Sequence, residues 1–121
     1  NIMKRDLTLF LEDVLENIID IQNFSESLTL EKFRKNKLRQ KAITRSLEII
    51  GEAVKNIPES FRQKYPVVPW KKIAGFRDVI IHSYFGIRIE TIWNIIKEDL
   101  PTLKKEIINI LEKEKWEEKN K

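Results

Sequence analysis

Residues 43–57 read ITRSLEIIGEAVKNI, and their apolar side chains recur with the spacing of an α-helix. Separations of four, three, four and three residues put one stripe on a single helix face: Ile43, Leu47, Ile50, Val54 and Ile57. A stripe of this kind packs against other helices, so the segment predicts a long core helix. Because proline cannot continue a helix, we expect this one to end at Pro58.

The segment before the core helix predicts a second amphipathic helix. Its apolar stripe, from about residue 4 to 23, consists of Leu7, Phe10, Leu11, Val14, Ile18 and Ile21. Ser25, Ser27 and Thr29 then offer turn and helix-capping side chains, so a new helical region is expected to begin near residue 30.

The segment after the core helix also reads as helical. Pro58 and Pro66 bracket a short helix, and a final stripe is formed by Ile89, Ile92, Ile96, Leu103, Ile107 and Ile110. Pro101 interrupts that last stretch and predicts a kink or a restart. We therefore predict a single all-α domain over residues 1–121, an antiparallel bundle of four to five helices, with a charged, frayed tail over residues 112–121.

The composition narrows the chemistry that the chain can perform. There is no cysteine and only one histidine, which argues against disulfides and a zinc site, so we expect metal-independent chemistry and no cofactor. No apolar run approaches the roughly 20 residues that span a bilayer, and the N-terminus lacks the features of a signal peptide. These features predict a soluble, cytoplasmic protein without a membrane partner.

Residues 32–45, KFRKNKLRQKAITR, hold seven basic side chains and no acidic one. Helical spacing puts Lys37, Lys41 and Arg45 on one stripe, where they are candidate contacts for the phosphates of a nucleic acid. An ordinary solvated helix face explains the same pattern equally well. The net charge of +4 permits nucleic-acid binding without requiring it, so both interpretations stay open.

Residues 75–86, GFRDVIIHSYFG, contain the only histidine of the chain, His82. At about 100° per residue Arg77 and Tyr84 fall nearly on one helix face, whereas Arg77 and His82 lie about 140° apart. Two geometries would bring Arg77 and His82 together. Either the helix loosens near residues 83–86, or a second copy of the chain supplies the other half across a two-fold axis.

A two-fold dimer would also meet the needs of one reaction, the attack of an RNA 2′-hydroxyl on its own phosphate. That reaction needs a base, an acid and a cation, and one histidine performs only one proton transfer at a time. Arg77 would bind the phosphate, because its guanidinium is always charged and donates two parallel hydrogen bonds. Asp78, four residues before His82, would orient the imidazole, although an aspartate at such a position is more often an ordinary surface charge.

Arg77, His82 and Tyr84 match the motif R-x-x-x-x-H-x-Y, and the chain resembles the HepT-like branch of the HEPN superfamily, the toxins of MntA/HepT toxin-antitoxin modules. The resemblance covers nearly the whole sequence and includes IGEA, PW and AGFRD around the motif. It implies an all-helical bundle that forms a homodimer, with the arginines and histidines of both protomers in a composite cleft. It also implies metal-independent endoribonuclease activity on RNA.

The resemblance further implies roles for individual residues and a partner. Arg77 and His82 would be catalytic, and Tyr84 would accept AMP from an MntA-like nucleotidyltransferase antitoxin that neutralises the toxin. The alternatives are that Tyr84 is a packing residue and that the chain is a non-catalytic subunit that docks a minimal nucleotidyltransferase. We interpret Gly51 as a point of close helix packing and Glu52 as a buried or capping residue, and assign neither to the catalytic set.

Overall fold

A computed structural model describes residues 4–83 and 89–120, without the side chains of His82 and Ser83. Its helices are α1 (Lys4–Ser25), α2 (Leu30–Lys35), α3 (Lys37–Lys55), α4 (Glu59–Lys64), α5 (Trp70–Ala74), α6 (Phe76–Ser83), α7 (Ile89–Asn94) and α8 (Leu100–Lys119). No strand occurs in these ranges, which confirms the predicted all-α bundle. None of the described helices is long and apolar enough to cross a bilayer.

The predicted apolar stripes form the core. On α1 the buried side chains are Leu11, Val14, Ile18 and Ile21, while Leu7 and Phe10 pack partly buried at the edge. The stripe that predicted the core helix is buried throughout: Ile43, Leu47, Ile50, Val54 and Ile57. From the last stretch, Leu103, Ile107 and Ile110 of α8 complete the same core. Burial of these apolar surfaces is the main force that holds the helices together.

Helices α1 and α8 run antiparallel. The Lys4 ammonium, at the start of α1, donates to the Glu114 carbonyl near the end of α8, with 3.4 Å between nitrogen and oxygen. At the opposite end of the pair, the Lys104 ammonium donates to the Gln22 side-chain oxygen at 3.0 Å. The two contacts fix both ends of one helix against the opposite ends of the other.

The chain turns between α1 and α3 through two capped helix starts. The Thr29 hydroxyl accepts a hydrogen bond from the Lys32 backbone at 3.2 Å, which confirms the predicted helix start near residue 30. The side chain of Asn36 accepts from the Arg39 backbone at 3.0 Å and starts α3, a break that the periodicity did not predict. The Arg39 guanidinium donates to the Phe24 carbonyl at 3.2 Å, so α3 begins beside the end of α1 and runs back along it.

Helices α7 and α8 are joined by a π-helical turn, Ile95–Asp99, and Pro101 is the second residue of α8. Proline has no N–H to donate to the preceding turn, and a π-helical turn is one way in which a helix absorbs that loss. The helix then continues past Leu111 to Lys119. The fraying of residues 112–121 stays a prediction, although this stretch is helical to Lys119 and contains one buried carboxylate.

That carboxylate belongs to Glu114, which joins α8 to α4. It accepts hydrogen bonds from the Tyr65 hydroxyl and, at 2.9 Å, from the Lys64 ammonium, while Lys4 lies 3.9 Å away. Burial alone would raise the pKa of Glu114, but the hydrogen bonds from Tyr65 and Lys64 hold it below its ordinary value. Burial and the bond to Glu114 raise the pKa of Tyr65, and the bonds to Glu117 and Glu114 raise that of Lys64.

Candidate active site around Arg77

Gly51 lets α3 approach the junction of α5 and α6. A Cβ atom at this position would lie 3.3 Å from the Arg77 backbone nitrogen and 3.4 Å from the Ala74 carbonyl oxygen. Both contacts are with backbone, which cannot swing aside as a side chain can. The interpretation of Gly51 as a point of close helix packing is therefore confirmed, and this packing holds Arg77 against the middle of the bundle.

The Arg77 guanidinium pairs with the carboxylate of Glu52. Nη1 of Arg77 lies 2.7 Å from Oε1 of Glu52, and the two side chains are 50% and 49% exposed. The prediction that Glu52 is a buried or capping residue is wrong, because its side chain faces solvent and binds a cation on another helix. No spacing within α3 predicts this pair, because Arg77 lies 25 residues further along the chain on another helix.

The other candidate residues of this segment, Asp78, His82 and Tyr84, follow Arg77 within seven positions of the sequence. Asp78 is exposed on α6, next to Arg77. The backbone of α6 is helical from Phe76 to Ser83, so Arg77 and His82 share one helix. The His82 side chain and the whole of Tyr84 lie outside the described residues, so the roles of His82, Tyr84 and Asp78 stay predictions.

The candidate phosphate contacts lie on α3. Lys37, Lys41 and Arg45 are all exposed, and Arg45 forms a salt bridge of 3.3 Å with Glu48 one turn further on. Glu48 is followed four residues later by Glu52, so the same helix face leads from the basic stripe to Arg77. The stripe of Lys37, Lys41 and Arg45 and the pair of Glu52 with Arg77 thus lie along one face of α3.

Within the described part of the chain, no group of three or more histidine, cysteine, aspartate or glutamate side chains is arranged to hold a metal ion. Three other cations, Lys55, Arg62 and Lys71, line one depression with Arg77, and cations grouped in this way attract an anion.

These residues define a class of protein. It is an all-helical bundle with an accessible arginine where two of its helices touch, and a basic stripe lies beside that arginine. The model of the family described as ribonuclease HepT-like matches residues 14–110. The chain belongs to this HepT-like family of the HEPN superfamily.

Several named proteins are similar to the chain over most of its length. A Methanocaldococcus jannaschii protein named "Putative RNase MJ0127" is 50% identical over 117 residues, which cover 97% of each chain. "Probable ribonuclease HepT" of Thermococcus cleftensis is 45% identical, covering 84% of this chain and 93% of its own. "Putative RNase TTE0752" of Caldanaerobacter subterraneus is also 45% identical, covering 88% and 95%. No solved structure matches the chain significantly.

Proposed function

We propose that this chain is an endoribonuclease toxin that cleaves RNA through Arg77 and His82 without a metal ion. The observation that carries the proposal is the half-exposed side chain of Arg77, whose guanidinium is paired with Glu52. Glu52 lies on the same face of α3 as the basic stripe. Membership of the HepT-like family and relatives named as ribonucleases support the same activity.

The reaction needs two proton transfers, and it builds up negative charge on the phosphate that the protein must stabilise. His82 of one protomer removes the proton of the 2′-hydroxyl, whose oxygen attacks the adjacent phosphorus. The bond from phosphorus to the 5′-oxygen breaks, and that oxygen takes a proton from His82 of the partner subunit. The products are a 2′,3′-cyclic phosphate and a free 5′-hydroxyl, and the mechanism therefore requires a two-fold homodimer.

Arg77 stabilises the negative charge that builds on the phosphate oxygens. A guanidinium carries five N–H donors, and the contact with Glu52 engages Nη1. Half of the Arg77 side chain is exposed to solvent, and its other donors are then able to form two parallel bonds to a phosphate. Glu52 thus acts as a positioning residue, since it orients the guanidinium without touching RNA.

RNA approaches along α3 in this account. Lys37, Lys41 and Arg45 contact phosphates on one side of the cleaved bond, attracting the strand by charge and adding no sequence preference. Their place on the face of α3 that leads to Arg77 favours this role over that of an ordinary solvated face.

Control of the toxin is assigned to Tyr84 and a nucleotidyltransferase antitoxin. The Tyr84 hydroxyl attacks the α-phosphorus of ATP, loses its proton and displaces pyrophosphate, so that AMP becomes bound to the tyrosine oxygen. The modification adds a bulky anion two residues from His82 in the sequence, which repels and occludes RNA. Incubation with such an enzyme and ATP is expected to add one AMP to the parent chain and none to Tyr84→Phe. A labelled Tyr84→Phe chain would contradict this assignment.

A single substrate substitution tests the reaction itself. An RNA oligonucleotide that is cut at several mapped bonds is remade with deoxyribose on the 5′ side of one of them, which removes the attacking hydroxyl at that bond. We expect cleavage there to stop while other bonds are still cut. Continued cleavage at the deoxy position would rule out the proposed chemistry, and absence of any cleavage would favour the non-catalytic docking subunit.

A further inference from the structure

A second cationic feature adjoins Arg77 on the side away from Lys37. It is an open concavity of about 560 Å³ between the end of α3, α4, α5 and the first turn of α6. The residues that give it its character are Lys55, Arg62, Lys71, Arg77, Asp78 and Ile81. Four cations and one carboxylate therefore meet in one depression, which gives it a positive balance.

Two of these cations are available to a ligand. Lys55 ends α3 and Lys71 lies on α5, and both side chains are exposed. Neither ammonium group has a hydrogen bond or salt bridge to another residue in the described part of the chain. Two like charges facing one depression raise its attraction for an anion.

A third cation is fixed in the wall by backbone carbonyls. The Arg62 guanidinium donates through Nε to the Ile57 carbonyl at 3.0 Å and through Nη2 to the Val54 carbonyl at 2.7 Å. These bonds close the end of α3 and hold the guanidinium still. Because both acceptors are uncharged, the positive charge of Arg62 is not neutralised by a carboxylate.

The concavity continues the face of α3 that carries the basic stripe. Separations of four, three, four and three residues align Lys41, Arg45, Glu48, Glu52 and Lys55. The two carboxylates in this row are each paired with an arginine, Glu48 with Arg45 and Glu52 with Arg77. The row therefore presents cations at both ends, about 21 Å apart by helix rise. Arg77 pairs with Glu52, which lies about 4.5 Å of helix rise from the Lys55 end.

We propose that the concavity is an RNA subsite, in which Lys55 and Lys71 bind the phosphate of a nucleotide that flanks the cleaved bond. It lies on the opposite side of Arg77 from Lys37, Lys41 and Arg45, so the strand is held on both sides of the reacting phosphate. Ile81, 46% exposed, supplies an apolar wall for the sugar or base. The inference rests on the proposed ribonuclease function and assigns the direction in which the substrate extends.

The test measures binding of a fluorescent single-stranded RNA of twelve nucleotides to the full chain carrying His82→Ala, which prevents cleavage. Adding Lys55→Gln and Lys71→Gln is expected to weaken binding about tenfold in moderate salt and to reduce the slope of log K against log salt by about 0.7, the value for one lost phosphate contact. The charge-conserving pair Lys55→Arg and Lys71→Arg is expected to bind as the parent does. Lys105→Gln with Lys115→Gln, two exposed lysines of α8 away from the concavity, removes the same charge and is expected to change the affinity less than twofold.

The affinity and the slope together decide the outcome. If the Lys55 and Lys71 glutamine variant binds RNA with the affinity and salt slope of the α8 control, the subsite is refuted. RNA binding by the parent would still support the proposed function. If even the parent chain fails to bind RNA, the proposed function and the subsite both fall. The RNA is also shortened from its 5′ end and, separately, from its 3′ end. Only one of the two shortened RNAs should bind the parent and the variant with the same affinity. If both do so, the subsite does not lie on one side of Arg77.

Discussion

The Glu52 carboxylate lies 2.7 Å from the Arg77 guanidinium, although the two residues belong to different helices, α3 and α6. Gly51 makes this pair possible, because its missing side chain lets the Arg77 backbone come within contact distance of α3. A small residue and a charged residue, adjacent in sequence, thus place and orient the proposed phosphate-binding cation.

Glu52→Gln is expected to lower kcat by up to about fivefold without raising KM. A half-exposed ion pair contributes up to about 1 kcal/mol, which sets this limit, and removing a carboxylate near RNA does not weaken substrate binding. Steady-state kinetics on a short RNA provide the measurement, with Glu48→Gln as the matched control that leaves Arg77 paired. An unchanged kcat, or a rise in KM alone, would contradict the positioning role.

Gly51→Val is expected to lower the free energy of unfolding by about 1–3 kcal/mol, the usual cost of forcing extra methyl groups into a packed contact. Gly51→Ala should cost less, because the gain of up to about 1 kcal/mol in helix propensity offsets part of the steric conflict. Urea unfolding followed by circular dichroism measures both variants. If Gly51→Val is as stable as the parent chain, the close contact between α3 and α6 is not present in solution.

The Glu114 network is expected to make stability depend on acid. The pKa of Glu114 is lower in the folded chain than its ordinary value of 4.5, so the folded state binds fewer protons there than the unfolded state. Its contribution is fully present above the ordinary pKa and is lost as the pH falls through the lower, folded value. Between pH 7 and pH 3 the midpoint temperature of thermal unfolding should therefore fall more steeply for the parent than for Glu114→Gln.

A second variant separates the network from general acid unfolding. Tyr65→Phe removes one charge-assisted hydrogen bond to the buried carboxylate and should cost about 1.5–3 kcal/mol at pH 7, with a smaller cost at pH 3. An equal cost at both pH values would show that Glu114 does not titrate as described.

Replacing Lys37, Lys41 and Arg45 together by glutamine is expected to weaken RNA binding and to lower the salt slope by up to about 2, the value for three phosphate contacts on a single strand. Fluorescence anisotropy at several salt concentrations measures both quantities. An unchanged slope would instead support the alternative that this stripe is an ordinary solvated helix face.

The sequence predicted the parts of the fold that depend on local periodicity. The stripes of α1 and α3 were found because each buried residue follows the last by three or four positions. The break at Asn36 was missed because a polar residue such as asparagine is common both at helix starts and on exposed surfaces, so its identity does not tell the two apart. Glu52 was misassigned because its partner Arg77 is 25 residues away, and helical spacing says nothing about which helices touch.

Cleavage of RNA by Arg77 and His82 without a metal ion is tested most directly with purified protein. Purified parent chain, Arg77→Ala and His82→Ala are incubated with the same RNA in excess EDTA, and the cleavage rates are compared. We expect the parent to remain active, Arg77→Ala to lose about 100- to 1,000-fold in rate and His82→Ala about 100- to 10,000-fold. Equal cleavage by all three proteins, or loss of the parent's activity in EDTA, would contradict the account.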